Sequence, residues 1–262
     1  MFDTHCHLND EVFNDSLNSV MYSARESGVV KLLIPSTNLF DFKKALKIAT
    51  EFEGVFLSIG IHPTEKLEDL GDIGYVREKI QKPIDENAEI VAIGECGLDY
   101  YKYKSPASLQ KEFLEMQIKL AIINDLAVII HNRHATQELL PILNKCIEGN
   151  FNRIVFHACP AENELLEFAI QNNIYIGIGG DVTYDKTKAL FISKVPLSLL
   201  LLETDSPNLT PLPIRNTKKF PNTPENLRYT AEKVSNIKKV DVSEIIHITS
   251  QNAEVLFLQP RT

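Results

Sequence analysis

Eight short runs rich in Val, Ile and Leu recur along the chain, at residues 2–8, 31–36, 55–61, 89–95, 126–131, 153–157, 173–179 and 197–205. Several, among them Ala127-Val128-Ile129-Ile130 and Leu199-Leu200-Leu201-Leu202, are continuously apolar rather than alternating. A strand with one face in water alternates apolar and polar residues; a parallel strand covered on both faces by crossover helices does not. Helical patterns lie between the runs. The clearest covers residues 105–124, where Leu109, Phe113, Met116, Leu120 and Ile123 keep the helical period, with Ser105 as cap and Pro106 as first residue. Asp241-Val242-Ser243-Glu244 is a capping-box start for a last helix carrying Ile245, Ile248 and Leu256. Eight alternations of strand and helix predict an α/β chain closed into a (β/α)₈ TIM barrel, with an open doubly wound sheet as the structural alternative. The 262 residues suffice for one such barrel domain over residues 1–262. Residues 207–224, with five prolines, read as a long loop after the eighth strand that could wall a site.

Composition narrows the function classes. A net charge of −8 and a pI near 5.4 give no basic field, so any contact with nucleic acid must come from a local groove, or from metal ions that supply the positive charge. The four cysteines Cys6, Cys96, Cys146 and Cys159 form no Cys-x-x-Cys pair, which fits a reduced interior. Met1 leads straight into the first motif, without room for a secretion signal, and the longest apolar run is too short to span a bilayer. The expectation is a cytoplasmic protein with no membrane partner.

The chemistry starts at Phe2-Asp3-Thr4-His5-Cys6-His7-Leu8, where the strand period of two puts His5 and His7 on one face and turns Cys6 away. That is half of a metal site. His62, Glu95, His131, His157 and Asp205 then fall in turn at or just after later strand ends, the catalytic end of a barrel, whereas His5 and His7 lie on the first strand itself. Packing or a capped turn would explain any one of these residues alone. Glu95, ending an apolar run, needs a metal or a buried ion pair to offset its burial. Four histidines, His5, His7, His131 and His157, with Glu95 and Asp205 are about what two divalent ions need if Glu95 bridges them; imidazole-rich ligation favours Zn²⁺ or Mn²⁺ over Mg²⁺. His62 and Arg133 follow strand ends facing the same cavity, where they could contact a phosphate. His134 reads as a helix start and His247 as structural. Gly177-Ile178-Gly179-Gly180 lacks dinucleotide spacing and marks a close backbone approach. Neither a P-loop nor a nucleophile elbow is present.

The ordered blocks Phe2-Asp3-Thr4-His5-Cys6-His7-Leu8, Gly60-Ile61-His62-Pro63, Ile93-Gly94-Glu95-Cys96-Gly97-Leu98-Asp99-Tyr100-Tyr101 and Leu200-Leu201-Leu202-Glu203-Thr204-Asp205-Ser206-Pro207 give the chain more than a generic pattern. Over residues 2–258 it resembles the TatD family of metal-dependent deoxyribonucleases, within the amidohydrolase-like barrels. The resemblance implies that His5, His7, Glu95 and Asp205 hold one metal and that Glu95, His131 and His157 hold a second. It further implies phosphodiester hydrolysis, Mg²⁺ as a common ion, and exonuclease action on DNA, with RNA possible. The catalytic expectation is then Asp205 and Glu95 at the reacting water, with His62 and Arg133 on the phosphate. The chain departs from the family's usual Ser-Arg-Asp at Asn132-Arg133-His134, from Cys-Phe-Ser-Gly at Ala158-Cys159-Pro160-Ala161, and from Asn-Glu-Pro at Asn222-Thr223-Pro224. All the implied ligands are present. Competing readings are a metal-dependent hydrolase of a small amide, ester or lactone, a deacylase of charged tRNA, and a catalytically silent nucleic-acid-binding protein.

Overall fold

The computed structural model describes residues 1–102, 104–147, 151–217 and 221–259. A strand begins in each apolar run: β1 (Phe2–Asp3), β2 (Lys31–Ile34), β3 (Val55–Ile59), β4 (Ile90–Asp99), β5 (Ala127–Arg133), β6 (Ile154–Phe156), β7 (Tyr175–Ile178) and β8 (Leu200–Leu202). They pair in chain order, each parallel to the one before. The last seam returns to the first strand through Thr4 N–H donating to the Leu202 carbonyl (3.2 Å), Asp205 N–H to His5 (2.8 Å), His7 N–H to Ser206 (2.7 Å), and a parallel bridge between Cys6 and Ser206. The expected TIM barrel is therefore the fold. Helices α1 (Leu17–Glu26), α2 (Leu39–Glu51), α3 (Ile73–Glu86), α4 (Ala107–Ile123), α5 (Thr136–Cys146), α6 (Asn163–Asn172), α7 (Lys186–Lys194), α8 (Leu227–Lys238) and α9 (Val242–Phe257) cover it. Among the described residues, no helix is long and apolar enough to cross a membrane.

Two apolar layers hold the barrel. The larger packs the outward strand residues, such as Leu32, Leu57, Ile93, Val128 and Ile176, against Ile80, Phe113, Leu139 and Phe191 of the helices. The smaller fills the interior with Phe2, Leu33, Val91, Ile129, Val155 and Leu201, and it includes Ala253, Leu256 and Phe257 of α9. The rings of Phe2 and Phe257 stand 6.1 Å apart at the amino-terminal end of the strands. The last turn of α9 thus plugs that end, which leaves the carboxyl ends for chemistry.

Several boundaries differ from the sequence reading. β1 ends at Asp3, so His5 and His7 lie beyond the regular strand, in a segment held by the seam contacts rather than on the strand itself. The Asp3 carboxylate is the cause: it accepts from the Thr204 N–H (2.9 Å), the Thr204 hydroxyl (2.6 Å) and the His5 N–H (3.4 Å), so side-chain bonds take over from the ladder. β4 and β5 run longer than their apolar stretches because Cys96 to Asp99 pair with Ile130 to Arg133. Leu197–Leu199 forms a 3₁₀ turn before β8. Pro106, not Ser105, is the cap of α4; the Ser105 hydroxyl instead accepts from Leu67 N–H (3.0 Å) and donates to Glu68 (2.6 Å). Asp241 caps α9 as expected, accepting from the Ser243 N–H at 2.8 Å. Buried Asn222 ties the loop after β8 to the Thr204 and Asn208 carbonyls (3.0 and 2.7 Å); residues 218–220 of that loop lie outside the described residues.

Candidate metal centre

β4 carries Glu95, Gly97 and Asp99 at the strand period, and this face organises the site. Gly97 has φ +154°, and a Cβ there would fall 1.9 Å from the His131 carbonyl, so glycine is what lets β5 lie close enough to bring His131 to Glu95. Glu95 is 3 % exposed and stands in the middle. Its Oε2 lies 3.4 Å from His5 Nε2 and 3.8 Å from His7 Nε2. Its Oε1 lies 2.9 Å from His131 Nδ1, 3.4 Å from His62 Nε2 and 3.8 Å from His157 Nε2. Across the centre, Asp205 Oδ1 is 3.5 Å from His7, 3.7 Å from His157 and 3.9 Å from His5. The chain therefore brings His5, His7, His62, Glu95, His131, His157 and Asp205 together, as the sequence suggested. His62 stands among these donors rather than beyond them, its Nδ1 engaged with the Thr64 hydroxyl at 2.6 Å.

Three clusters in this group could hold an ion: His5, His7 and Glu95; His5, His157 and Asp205; and His62, Glu95 and His131. Donors about 2.0–2.2 Å from one ion sit roughly 3–4 Å from each other, and the separations above match that spacing. Most are too long for direct hydrogen bonds, which leaves room for a cation between the donors. Nitrogen and carboxylate oxygen in this ratio suit a borderline divalent ion, and Glu95 belongs to two of the clusters, one on each oxygen.

The electrostatics point the same way. Burial alone would raise the Glu95 carboxyl, but the charges of His62 and His157, with the His131 hydrogen bond and His5 close by, hold it well below the usual range. Asp205 is likewise kept low against its burial, first by its polar contact with His7 and then by the charge of His157. Burial and the neighbouring His157 push His5 down to about 4, whereas His157, against its own burial, is raised to about 10 by Glu203, Glu95 and Asp205. The two rings stack at 3.4 Å, and this split leaves one of them neutral. His7 and His131 are also raised, because their carboxylate partners outweigh burial.

Sequence reading did not assign the groups that aim these side chains. Asp99, 1 % exposed, accepts from His131 Nε2 through Oδ2 (3.0 Å), and its Oδ1 accepts from the N–H groups of Tyr101 (2.9 Å) and Lys102 (2.7 Å). The Glu203 carboxylate pairs with His157, 3.1 Å from its Nδ1, and accepts from the Ala158 N–H (2.6 Å). A Cβ at Gly177 would sit 2.3 Å from the Glu203 carboxylate, which explains the glycine-rich β7 as a close approach. Buried Lys188 bonds Asp181 (2.9 Å) and the carbonyls of Ala158 and Cys159 (3.3 and 2.7 Å), fixing the turn after His157. The available signal was the strand period, since Asp99 is four residues from Glu95 and Glu203 two from Asp205. Cys6 turns its thiol to the Leu33 carbonyl, away from the centre, and His247 is exposed on α9.

The centre opens into a cavity of about 440 Å³ lined also by Thr37, Lys102, Arg133 and Asn208. The Arg133 guanidinium lies 3.8 Å over the Tyr101 ring at the rim. Arg133 is thus where sequence placed it, and Lys102 is a second cation that sequence did not identify.

A family model described as TatD related DNase matches residues 2–258. An uncharacterized metal-dependent hydrolase, YabD of Bacillus subtilis, is 32 % identical over 98 % of both chains. Deoxyribonuclease TATDN3 of Homo sapiens is 30 % identical, over 98 % of this chain and 94 % of its own. The crystal structure of YjjV, a TatD homolog from Escherichia coli, superposes with a TM-score of 0.87 at 28 % identity, covering 99 % of this chain and 98 % of the other.

Proposed function

The chain belongs to the TatD-related DNase family and is a metal-dependent hydrolase, and we propose that it is a DNA exonuclease acting on single-stranded ends with two divalent ions. The observation that carries this reading is one acidic residue, Glu95, shared by two donor clusters at the bottom of a cavity that Arg133 and Lys102 also line. A pair of carboxylates among imidazoles suits metals; cations beside them suit a phosphate. The cavity falls within the ~300–1,000 Å³ range of small-ligand sites, enough for a nucleotide at a strand terminus and too confined for a duplex.

His5, His7, Glu95 and Asp205 would hold one ion, and Glu95, His131 and His157 the other. When bound, such ions supply an activated water and neutralise phosphate oxygens, and Mg²⁺, Mn²⁺ and Zn²⁺ are the ions to test. Asp205, held ionised in the cavity, accepts the proton of the attacking water. Its backbone N–H is fixed on the His5 carbonyl at 2.8 Å, so the acceptor does not drift from the reacting atoms. Arg133 offers a planar donor fork to the phosphate, Lys102 a second charge, and His62 an N–H beside Glu95.

The test is digestion of a single-stranded oligonucleotide labelled at either end, by metal-stripped protein with Mg²⁺, Mn²⁺ or Zn²⁺ restored, beside Glu95→Ala. Stepwise shortening from one end that requires metal and vanishes in the variant is the expected result. No cleavage with any ion would defeat the nuclease reading and favour a small-molecule hydrolase. Activity and two bound ions in Glu95→Ala would defeat the bridging role.

A further inference from the structure

We propose that Tyr101, with the Arg133 guanidinium stacked on it, is the seat for the nucleobase next to the phosphate that is cut. This deepens, and rests on, the nuclease reading. Tyr101 is 62 % exposed; it follows Asp99 by two residues and precedes Lys102 by one, and both of these line the cavity of the metal centre. Arg133 spans both places, because it lines the cavity and lies 3.8 Å over the Tyr101 ring. The His134 ring stands 5.7 Å from Tyr101 at 31°, extending the aromatic surface. An aromatic ring offers a π-face to any base, and an adjacent guanidinium adds charge and a second plane for stacking.

The seat is also rigidly indexed to the reacting centre. One buried carboxylate, Asp99, takes His131 on one oxygen and the N–H groups of Tyr101 and Lys102 on the other. The Tyr100 N–H bonds the Arg133 carbonyl at 2.9 Å, locking the two rim segments together. A base stacked here is therefore held at a fixed distance from a proposed metal ligand, as placing one phosphate at the centre demands. Phe40, another exposed ring, lines an adjoining groove with Lys44 5.2 Å over it, but that lysine is paired with Glu11 at 3.5 Å, and Asp10 and Asp41 leave the groove acidic toward a polyanion. The charge at the rim selects Tyr101.

The experiment compares intact single-stranded oligonucleotides with ones carrying abasic nucleotides at the two terminal positions of the digested end, using the metal-loaded wild type, Tyr101→Leu and Tyr101→Phe. The expected result is a KM penalty of roughly tenfold for the abasic end in the wild type, within the range of base-on-aromatic stacking, with kcat little changed. Tyr101→Leu raises KM on the intact strand by a similar factor and shows no further abasic penalty, and Tyr101→Phe, which keeps the ring, restores that penalty. A penalty that persists in Tyr101→Leu, or no penalty in the wild type, overturns the seat and leaves the nuclease reading standing. No cleavage of either strand by the wild type overturns both.

Discussion

A carboxylate as buried as Glu95 costs several kcal/mol unless positive charge meets it, and in the metal-free centre protons on the histidines provide that charge. His157 is raised from 6.5 to about 10, so its ring carries a proton near neutral pH, and His7 and His131 are shifted in the same direction. A metal needs the lone pairs that those protons occupy. Ion binding therefore expels protons, and apparent affinity climbs as pH rises from 6.5 toward 10 and falls in acid. Calorimetric titrations in buffers of different ionisation enthalpy should show net proton release at pH 7; a heat independent of buffer would sink the idea. Glu203 is the leading group that raises His157 against its burial, its carboxylate 3.1 Å from His157 Nδ1. Glu203→Gln should lower metal affinity roughly 10- to 100-fold, the usual effect of losing a partner that orients a ligand. It should also reduce the protons released, a second readout that a general loss of folding would not produce.

At the scale of strands and helices, what the sequence made legible was burial, and what it hid was the ladder. Apolar runs such as Ala127 to Ile130 identify strands because both their faces are covered. Backbone hydrogen bonds leave no mark in composition, so β4 and β5 continue unseen through Asp99 and Arg133. β1 stops early because Asp3 diverts its bonding to Thr204, a partner 201 residues away. The donors were legible because period two and strand-end position are local properties. The roles of Asp99, Glu203 and Lys102 were not, because they depend on which strands become neighbours. The plug of α9 was hidden in the same way: Leu256 reads as part of a helix face with Ile245 and Ile248, but with Phe257 it fills the barrel floor. Phe257, 2 % exposed, should cost about 3–5 kcal/mol on truncation to alanine. Denaturant melts of the metal-free protein measure that loss. Metal affinity should stay within about twofold, since plug and centre occupy opposite ends of the barrel. Parallel loss of metal affinity would show that the two ends are coupled.

The whole molecule carries a charge of −8 and yet has a cavity suited to a polyanion. Attraction must then be local. At physiological salt the screening length is about 8 Å, so surface acids beyond the rim contribute little to a strand already seated, while they slow its approach. Within the cavity, Arg133 and Lys102 are the side-chain cations in reach of a phosphate among the described residues. Each phosphate neutralised on a single strand contributes about −0.7 to the slope of log affinity against log salt, so two contacts give about −1.4. Relief of the general repulsion by added salt makes the observed value shallower still. Fluorescence anisotropy of a labelled oligonucleotide, at fixed divalent metal and varied KCl, measures it directly. Arg133→Ala should flatten the slope by about 0.7 and weaken binding of all sequences alike, because a guanidinium on phosphate reads charge and not base. A slope steeper than about −4 would require some six basic contacts, and the strand would then follow a surface outside this cavity.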